Sequence, residues 1–390
     1  MEQLRGVALS QAVWDREVLP VRIDDFDMSD LSALCQSGDL VWVAQPNRVR
    51  FFFRGEGAVF LSAPDESSLS ANARKVYDLL KSEGASFAQD LEAAFGKPPQ
   101  NALVELVTAG LVTNDTLDAL RAAVGASSHA PLHSELESDL AARLGARPLT
   151  RSRYYGAKRR VAKRLRAETP QVQWPGRWSL VHRAGVMGQF SGDACADKLA
   201  RVLLARYGVV TRECLEREDI AGDWARLYPV FQRMELRGEI RRGYFVAGFG
   251  GAQFALPDAV EQLRAESKGE QPPVLTANES FIVVNAVDPA NIFGGEVGDA
   301  PRFARVPSTH VVLPRGQPVL IAEDNGKRIT TMQDAAADVI EYALHAYLTR
   351  PSAPRHILID QWNGENVLGN ARELMLHGLG FSRTPKGMEK

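Results

Sequence analysis

The stretch Leu227–Pro257, LYPVFQRMELRGEIRRGYFVAGFGGAQFALP, runs from an apolar-periodic helix through a glycine into a β-rich ribbon. Trp224, Leu227, Tyr228, Phe231 and Met234 fall at i, i+3, i+4, i+7 and i+10, one stripe of a helix. Pro229 lies inside that stripe, so the helix either starts near it or kinks at it. Gly238 stands where a left-handed C-cap belongs. The ribbon opens on Arg241, Arg242, Tyr244 and Phe245. Gly248, Gly250 and Gly251 predict its tight turn, and Gln253 the start of its return strand. Helix, glycine, ribbon is how a winged helix ends. Upstream, Leu199, Val202 and Leu203 form a first helix face, and Thr211 is placed to N-cap a second helix.

The same ending occurs twice more. Leu34 leads through Gly38 into VWVAQPNRVRFFF, and Leu106 through Gly110 into VTND. The glycine spacings, 72 and 128 residues, are unequal, so these are separate modules and not a solenoid. In the middle module Val76, Leu79 and Leu80 face inward. Ser86 and Gln89 form a capping box over a helix that buries Phe87, Leu91 and Phe95. Pro98 and Pro99 then start a third helix with Leu103, Leu106 and Val107 inward. Residues 265–275, AESKGEQPPVL, are a linker by composition. Beyond them FIVVNAV, HVVL, PVLIA and KRITTM are strand runs, with turns at Asp324–Lys327 and Asn363-Gly364. One helix over 333–348 carries Val339, Ile340, Ala343, Leu344 and Tyr347, and a last one carries Ala371, Leu374 and Met375. The expected fold class is α+β multidomain. It has a winged-helix-like 1–60, a winged helix at 61–125, a basic connecting segment at 126–190 and a winged helix at 191–264. A β-barrel-like module at 274–332 and a small α/β tail at 333–390 follow.

Composition bounds the function. The 390 residues are 45% hydrophobic and 24% charged, as in soluble globular proteins, and amount to about two to four domains. Lys plus Arg is 46 against 48 Asp plus Glu, a net charge of −2, which excludes a uniformly basic nucleic-acid binder but not a local basic face. Cys35, Cys195 and Cys214 make no disulfide framework and fit a reducing cytoplasm. No apolar run is long enough for a membrane helix, and the N-terminus has no secretory signal. It opens abruptly, so the chain reads as a piece of something longer. No GxxxxGK[ST] loop or GxGxxG follows a strand, so a nucleotide-driven motor is not expected here.

The strongest charge feature is 151–166, RSRYYGAKRRVAKRLR, eight of sixteen residues basic and none acidic. Arg151, Arg153, Lys158, Arg159, Arg160, Lys163, Arg164 and Arg166 can displace counterions from phosphates. Tyr154 and Tyr155, with Trp174, Arg177 and Trp178 just beyond, can stack on or clamp a strand. The alternative is a solvated basic face. Arg241 and Arg242 at the wing root are the second nucleic-acid candidates. No metal site is expected: the cysteines lack CxxC spacing, and the seven histidines form no HxxxH or HExxH pattern.

The blocks WDREVLPVRI, LCQSGDLVWV, AGLVTND, GRWSL, ARYGVVTRE, the 227–257 stretch and VDPANIFGG together resemble the C-terminal region of Lhr, the large helicase-related ATP-dependent DNA helicases of bacteria. The resemblance covers about 14–298. It implies a region downstream of a helicase core in the same polypeptide, involved in DNA repair. ATP and Mg would be bound only by that core and no cofactor by this chain. It also implies a plan similar to AlkZ-type DNA glycosylases, tandem winged helices plus a β-barrel. Those enzymes use a Gln-x-Gln or Gln-x-Asp pair. The one literal match, Gln171-Val172-Gln173, is of a kind chance supplies and lies away from any barrel strand. By texture the catalytic candidates are Asp360, Asp288 and Gln253. Three readings stand: a DNA-binding accessory region, an ATP-independent uracil glycosylase, and a protein assembly module. DNA is the expected partner, no membrane is expected, and a homo-oligomer is compatible with the sequence.

Overall fold

The structure, a computed structural model, describes residues 1–125, 174–218, 220, 224–268, 280–295, 302–332, 335–369 and 371–390. The basic run 151–166 and the Gln171–Gln173 match lie outside the described residues. The chain divides into two compact units, Asp27–Ser191 and a discontinuous one joining Met1–Phe26 to Gly192–Lys390. The stretch read as one winged-helix-like module at 1–60 is therefore shared between the two.

In the unit Asp27–Ser191, Asp27 accepts from Ser29 N to cap the helix Met28–Ser37, and Gly38 ends it at φ 84°. The strands β1 (Leu40–Gln45) and β2 (Arg48–Phe53) then pair antiparallel about a turn with Asn47 at φ 60°. Next come the helix Ala71–Glu83, β3 (Ser86–Phe87), the helices Ala88–Phe95 and Gln100–Thr108, and β4 (Val112–Asn114). The third strand, β5 (Arg177–Leu180), sits between β3 and β4 in the order β3-β5-β4. Part of the expected connecting segment is thus a wing strand of this module. GRWSL alternates burial along β5, with Trp178 and Leu180 inward. Trp178 is fully buried, edge-on to Trp42 at 6.3 Å and 5.6 Å from Trp174. It is a core residue, and its ring faces no ligand.

The capping reading shifts by one residue. The N-cap is Phe87, half exposed, and Asp90 rather than Gln89 accepts its N–H, because Ser86 is used in β3.

In the other unit, the helices Gly192–Tyr207, Arg212–Arg217 and Trp224–Leu236 build the next winged helix. Thr211 accepts from Cys214 N as read. The helix runs through Pro229. Its sheet orders β6 (Val209–Val210), β8 (Gln253–Ala255) and β7 (Arg241–Gly243), closed over Phe231 stacked on Phe254 at 5.0 Å. The helix Pro257–Lys268 occupies the first residues of the expected linker: nothing from Ala265 to Lys268 breaks it before Gly269.

The strands β9 (Phe281–Asn285), β10 (His310–Pro314), β11 (Leu320–Glu323) and β12 (Arg328–Thr331) form an antiparallel meander. After the helix Ala337–Thr349 comes β13 (Leu358–Ile359). Then β14 (Gln361–Trp362) joins the meander parallel to β12 and carries β15 (Glu365–Asn366) by a hairpin with Asn363 at φ 51° and Gly364 at φ 81°. The order is β15-β14-β12-β11-β10-β9. Among the described residues its edges, β9 and β15, do not pair, so the sheet is open and closes no barrel. The strand β17 (Gly387–Glu389) pairs antiparallel with both β13 and β16 (Ser382–Thr384) in a second sheet, order β13-β17-β16.

One core unites the expected β module and tail: Val312, Leu320, Ile329, Leu344, Tyr347, Ile359, Trp362 and Met388 pack together. The two are one α/β module because β14 completes the sheet begun by β9–β12. In the last helix, Arg372–Gly378, Leu376 faces inward and Leu374 is exposed.

Candidate functional site

Two polar constellations grow from this scaffold. The first joins the blocks WDREVLPVRI and VDPANIFGG. A short helix, Gln11–Val13, continues as a π-turn, Trp14–Val18. Such turns often re-aim side chains at working sites. Here the turn aims Glu17 at His310 on β10, whose Nε2 lies 3.0 Å from Glu17 Oε2, and Ser352 Oγ donates to the same oxygen at 2.9 Å. Burial raises the Glu17 carboxyl, but the His310 hydrogen bond and charge, the Ser352 hydroxyl and the Arg350 charge more than reverse this and hold it below the usual range. One turn on, Arg22 donates to both oxygens of Asp288, at 2.7 and 2.6 Å. Ala290 N–H donates a third bond at 2.7 Å. The loop after Asp288 is held by Arg305, which donates to Asn291 O and Phe293 O, and by Arg217, which donates to Ile292 O. Burial and the Arg217 charge push the Arg305 guanidinium down to about 10.

Asp288 is therefore buried with its carboxylate committed to Arg22 and its own turn. Gln253 is likewise buried: its Oε1 accepts from Phe245 N and Val246 N, each at 2.8 Å, and its Nε2 donates to Val246 O at 2.9 Å. It clasps the wing loop. Asp360 is different. Its Oδ2 lies 3.4 Å from Lys327 Nζ, while its buried Oδ1 has no hydrogen-bond partner. Trp362, read as a base-stacking neighbour, is buried in the core beneath Arg372. The three carboxyl and amide candidates stand apart, and the structure brings none of them beside another. Among the described residues no group of three or more His, Cys, Asp or Glu could hold a metal ion.

The second constellation is the wing and the outward face of the helix Trp224–Leu236. Tyr244, the first residue of the wing loop after β7, is 85% exposed. Arg241 pairs with Glu261 at 2.9 Å and Arg242 with Glu235 at 3.3 Å, both pairs solvent-facing. Their charge is partly balanced before any ligand arrives. Arg226, Gln232 and Arg233 lie on the exposed side of the helix. The sequence reading passed them over, though they follow from the complement of the apolar stripe. In the other unit Arg177 is exposed and bound to Asp115 through Nε at 3.0 Å, and Trp174 is half-buried.

Two segments of the chain match a family of winged-helix domains. Residues 1–61 and 189–274 each match the winged-helix domain of the Large helicase-related protein. The whole chain aligns at 30% identity with the Lhr helicase/probable uracil glycosylase of Mycolicibacterium smegmatis and at 27% with the Lhr helicase/uracil glycosylase of Escherichia coli. It spans about a quarter of each relative, 26% in both. Among solved structures, the Streptomyces sahachiroi DNA glycosylase AlkZ overlaps with a TM-score of 0.39 at 16% identity, covering 88% of each chain. The chain is thus similar along its whole length to about a quarter of these Lhr proteins, and two of its segments match the winged-helix domain of the Large helicase-related protein.

Proposed function

We propose that this region is the nucleic-acid-binding accessory part of an Lhr-type DNA helicase that serves DNA repair. It contributes no ATPase motor of its own. The upstream core of the same polypeptide binds ATP and Mg, and the chain works in the cytoplasm, where its three cysteines remain free thiols. The observation that carries the reading is the winged helix at 189–274, with Tyr244 exposed in its wing loop and a polar, arginine-bearing face on its helix Trp224–Leu236. Arginines on such a surface neutralise phosphates, and an exposed aromatic can stack on an unpaired base or wedge a step. The test is fluorescence anisotropy of labelled single-stranded and duplex DNA against the intact chain across a salt series. Affinity falling steeply with salt supports the reading; no binding at low salt refutes it.

A second reading is favoured by the names of both relatives, which include uracil glycosylase, and by the unpartnered Oδ1 of Asp360. Hydrolysis of an N-glycosidic bond needs a flipped base, a positioned water and a negative group beside the developing sugar cation, but neither ATP nor metal. Single-turnover cleavage of a uracil oligonucleotide in EDTA without ATP tests it. Abasic product from the parent and none from Asp360→Asn supports both enzyme and residue. Equal rates remove Asp360, and no product from a DNA-binding parent removes the enzyme.

A further inference from the structure

A cleft inside the unit Asp27–Ser191 belongs to neither constellation. It lies where the end of the helix Met28–Ser37 and the β1–β2 hairpin meet β4 and β5, and its volume is about 440 Å³. That is within the range of ligand-holding clefts, about 300–1,000 Å³. Arg54, Arg177 and Arg183 line it, against Asp115 as the one carboxylate among its lining residues, a surplus of two positive charges.

Each guanidinium is anchored by one edge. Arg54 Nε donates to Gly38 O at 2.5 Å, Arg177 Nε to Asp115 Oδ2 at 3.0 Å, and Arg183 Nη2 to Leu80 O. Their remaining N–H groups are thereby pre-organised, which suits the fixed fork of a guanidinium to a phosphate. Arg177 is 56% exposed, so the charged side opens to solvent.

Asn114 supplies an independent sign of a ligand. It lines the cleft and is only 3% exposed. Its Oδ1 accepts from Thr116 N at 2.8 Å, and a backbone N–H can only donate, so the amide orientation is fixed. Its Nδ2 is buried with no hydrogen-bond partner. A buried donor left unmet is open to an acceptor. The Cys35 thiol at the cleft is pushed up to about 12 by burial and the Asp115 charge, so it is neutral and brings no competing anion. No Trp, Tyr or Phe is among the lining residues, so the cleft has no platform for a base. The chemistry fits a phosphate and not a nucleobase.

We propose that this cleft seats a phosphodiester of a bound nucleic-acid strand, with Asn114 Nδ2 donating from within and Arg54, Arg177 and Arg183 from the rim. The proposal rests on the nucleic-acid-binding reading above and adds to it a defined phosphate seat remote from the wing.

The experiment is a salt titration of fluorescein-labelled oligo-dT against the intact chain, its Arg54→Gln/Arg177→Gln variant and its Arg54→Lys/Arg177→Lys variant. One phosphate lost should flatten the slope of log K against log salt by about 0.7 in the glutamine variant, with Kd raised about tenfold or more at low salt, and the lysine variant should keep the parental slope. Asn114→Asp keeps the acceptor for Thr116 and puts a carboxylate in place of the donor, so it should weaken binding comparably. Circular dichroism confirms that each variant is folded; if the glutamine pair does not fold, Asn114→Asp decides. A parent that binds, with affinity and slope unchanged in the folded variants, overturns the cleft and leaves the wing reading standing. A parent that binds no DNA overturns both.

Discussion

Arg22→Ala should destabilise its unit more than Asp288→Ala, although both break the two hydrogen bonds that join the pair and each loses one further bond, Arg22 to Val18 O or Ala290 N–H to Asp288. The asymmetry comes from burial. Asp288 is 3% exposed and Arg22 27%, at a separation of 2.6 Å. Removing one partner of a buried ion pair costs about 3–5 kcal/mol, chiefly because the survivor is left charged and dry. Arg22→Ala strands the carboxylate, with only the Ala290 N–H to satisfy it, and should cost about 4 kcal/mol. Asp288→Ala strands a guanidinium that already reaches water and still donates to Val18 O at 3.0 Å, so its cost should sit at the lower end, about 3 kcal/mol or less. The double variant removes both charges and should cost clearly less than the sum, giving a coupling of about 1–3 kcal/mol. Urea unfolding measures all four proteins. With a slope of about 1–3 kcal/mol per molar, each single variant should lower the midpoint by about 1 M or more. Amide exchange along β9 localises the loss. Additive single effects, or an Arg22→Ala midpoint equal to the parent's, would refute the argument. If the pair does only this, glycosylase or binding activity per folded molecule is unchanged in Asp288→Ala.

Three further outcomes are expected. Tyr244→Ala should raise Kd for single-stranded DNA about tenfold, since an aromatic stacked on a base contributes about 1–3 kcal/mol, and should leave Tm unchanged because the ring is solvent-exposed. Gln253→Leu should leave the Phe245 and Val246 amides unmet at about 1–3 kcal/mol each, seen as accelerated exchange at those two N–H groups. Glu17 sits below its ordinary value of 4.5, so the stability it contributes is fully present above that pH and is lost as pH falls through the lower folded value. Glu17→Gln should flatten the acid limb of the stability profile measured by thermal unfolding between pH 6 and 3; an unchanged limb would count against the Glu17–His310 contact.

What the sequence made legible is local. The helix stripes, the glycine C-caps at Gly38 and Gly238, the Thr211 cap and the Asn363-Gly364 hairpin all depend on residues within a turn or two of each other. What it hid is non-local. The wing of the middle module is finished by β5, far downstream of β4, and no period or cap in the intervening chain signals that pairing. Four successive strand runs fit a meander or a small barrel equally well, and the structure has the meander. Closure is decided by what meets the edge strand, and β14 arrives parallel to β12 only after a helix. Spacing alone places Phe87 inward, but it is the N-cap of its helix and half exposed, because the helix starts at Ala88.

The bonding of two candidate site residues is non-local in the same way. Asp288 and Gln253 attracted notice as polar residues in unusual company, Asp288 within VDPANIFGG and Gln253 beyond a glycine run. Both are buried and every strong acceptor they offer is taken, one by an arginine 266 residues away in sequence. Distinctive residues of that kind hold the fold: WDREVLPVRI and VDPANIFGG look unusual because each must fit the other. A group that serves a ligand shows the opposite sign, a buried polar atom whose bonding is incomplete in the free protein. Asn114 Nδ2 and Asp360 Oδ1 are among the buried atoms that carry that sign. A single sequence cannot display it, since an unmet bond is a property of the space around an atom. The distinctive motifs therefore mark where two distant stretches of one unit are joined, and the chemistry is to be sought where the structure leaves a donor or an acceptor waiting.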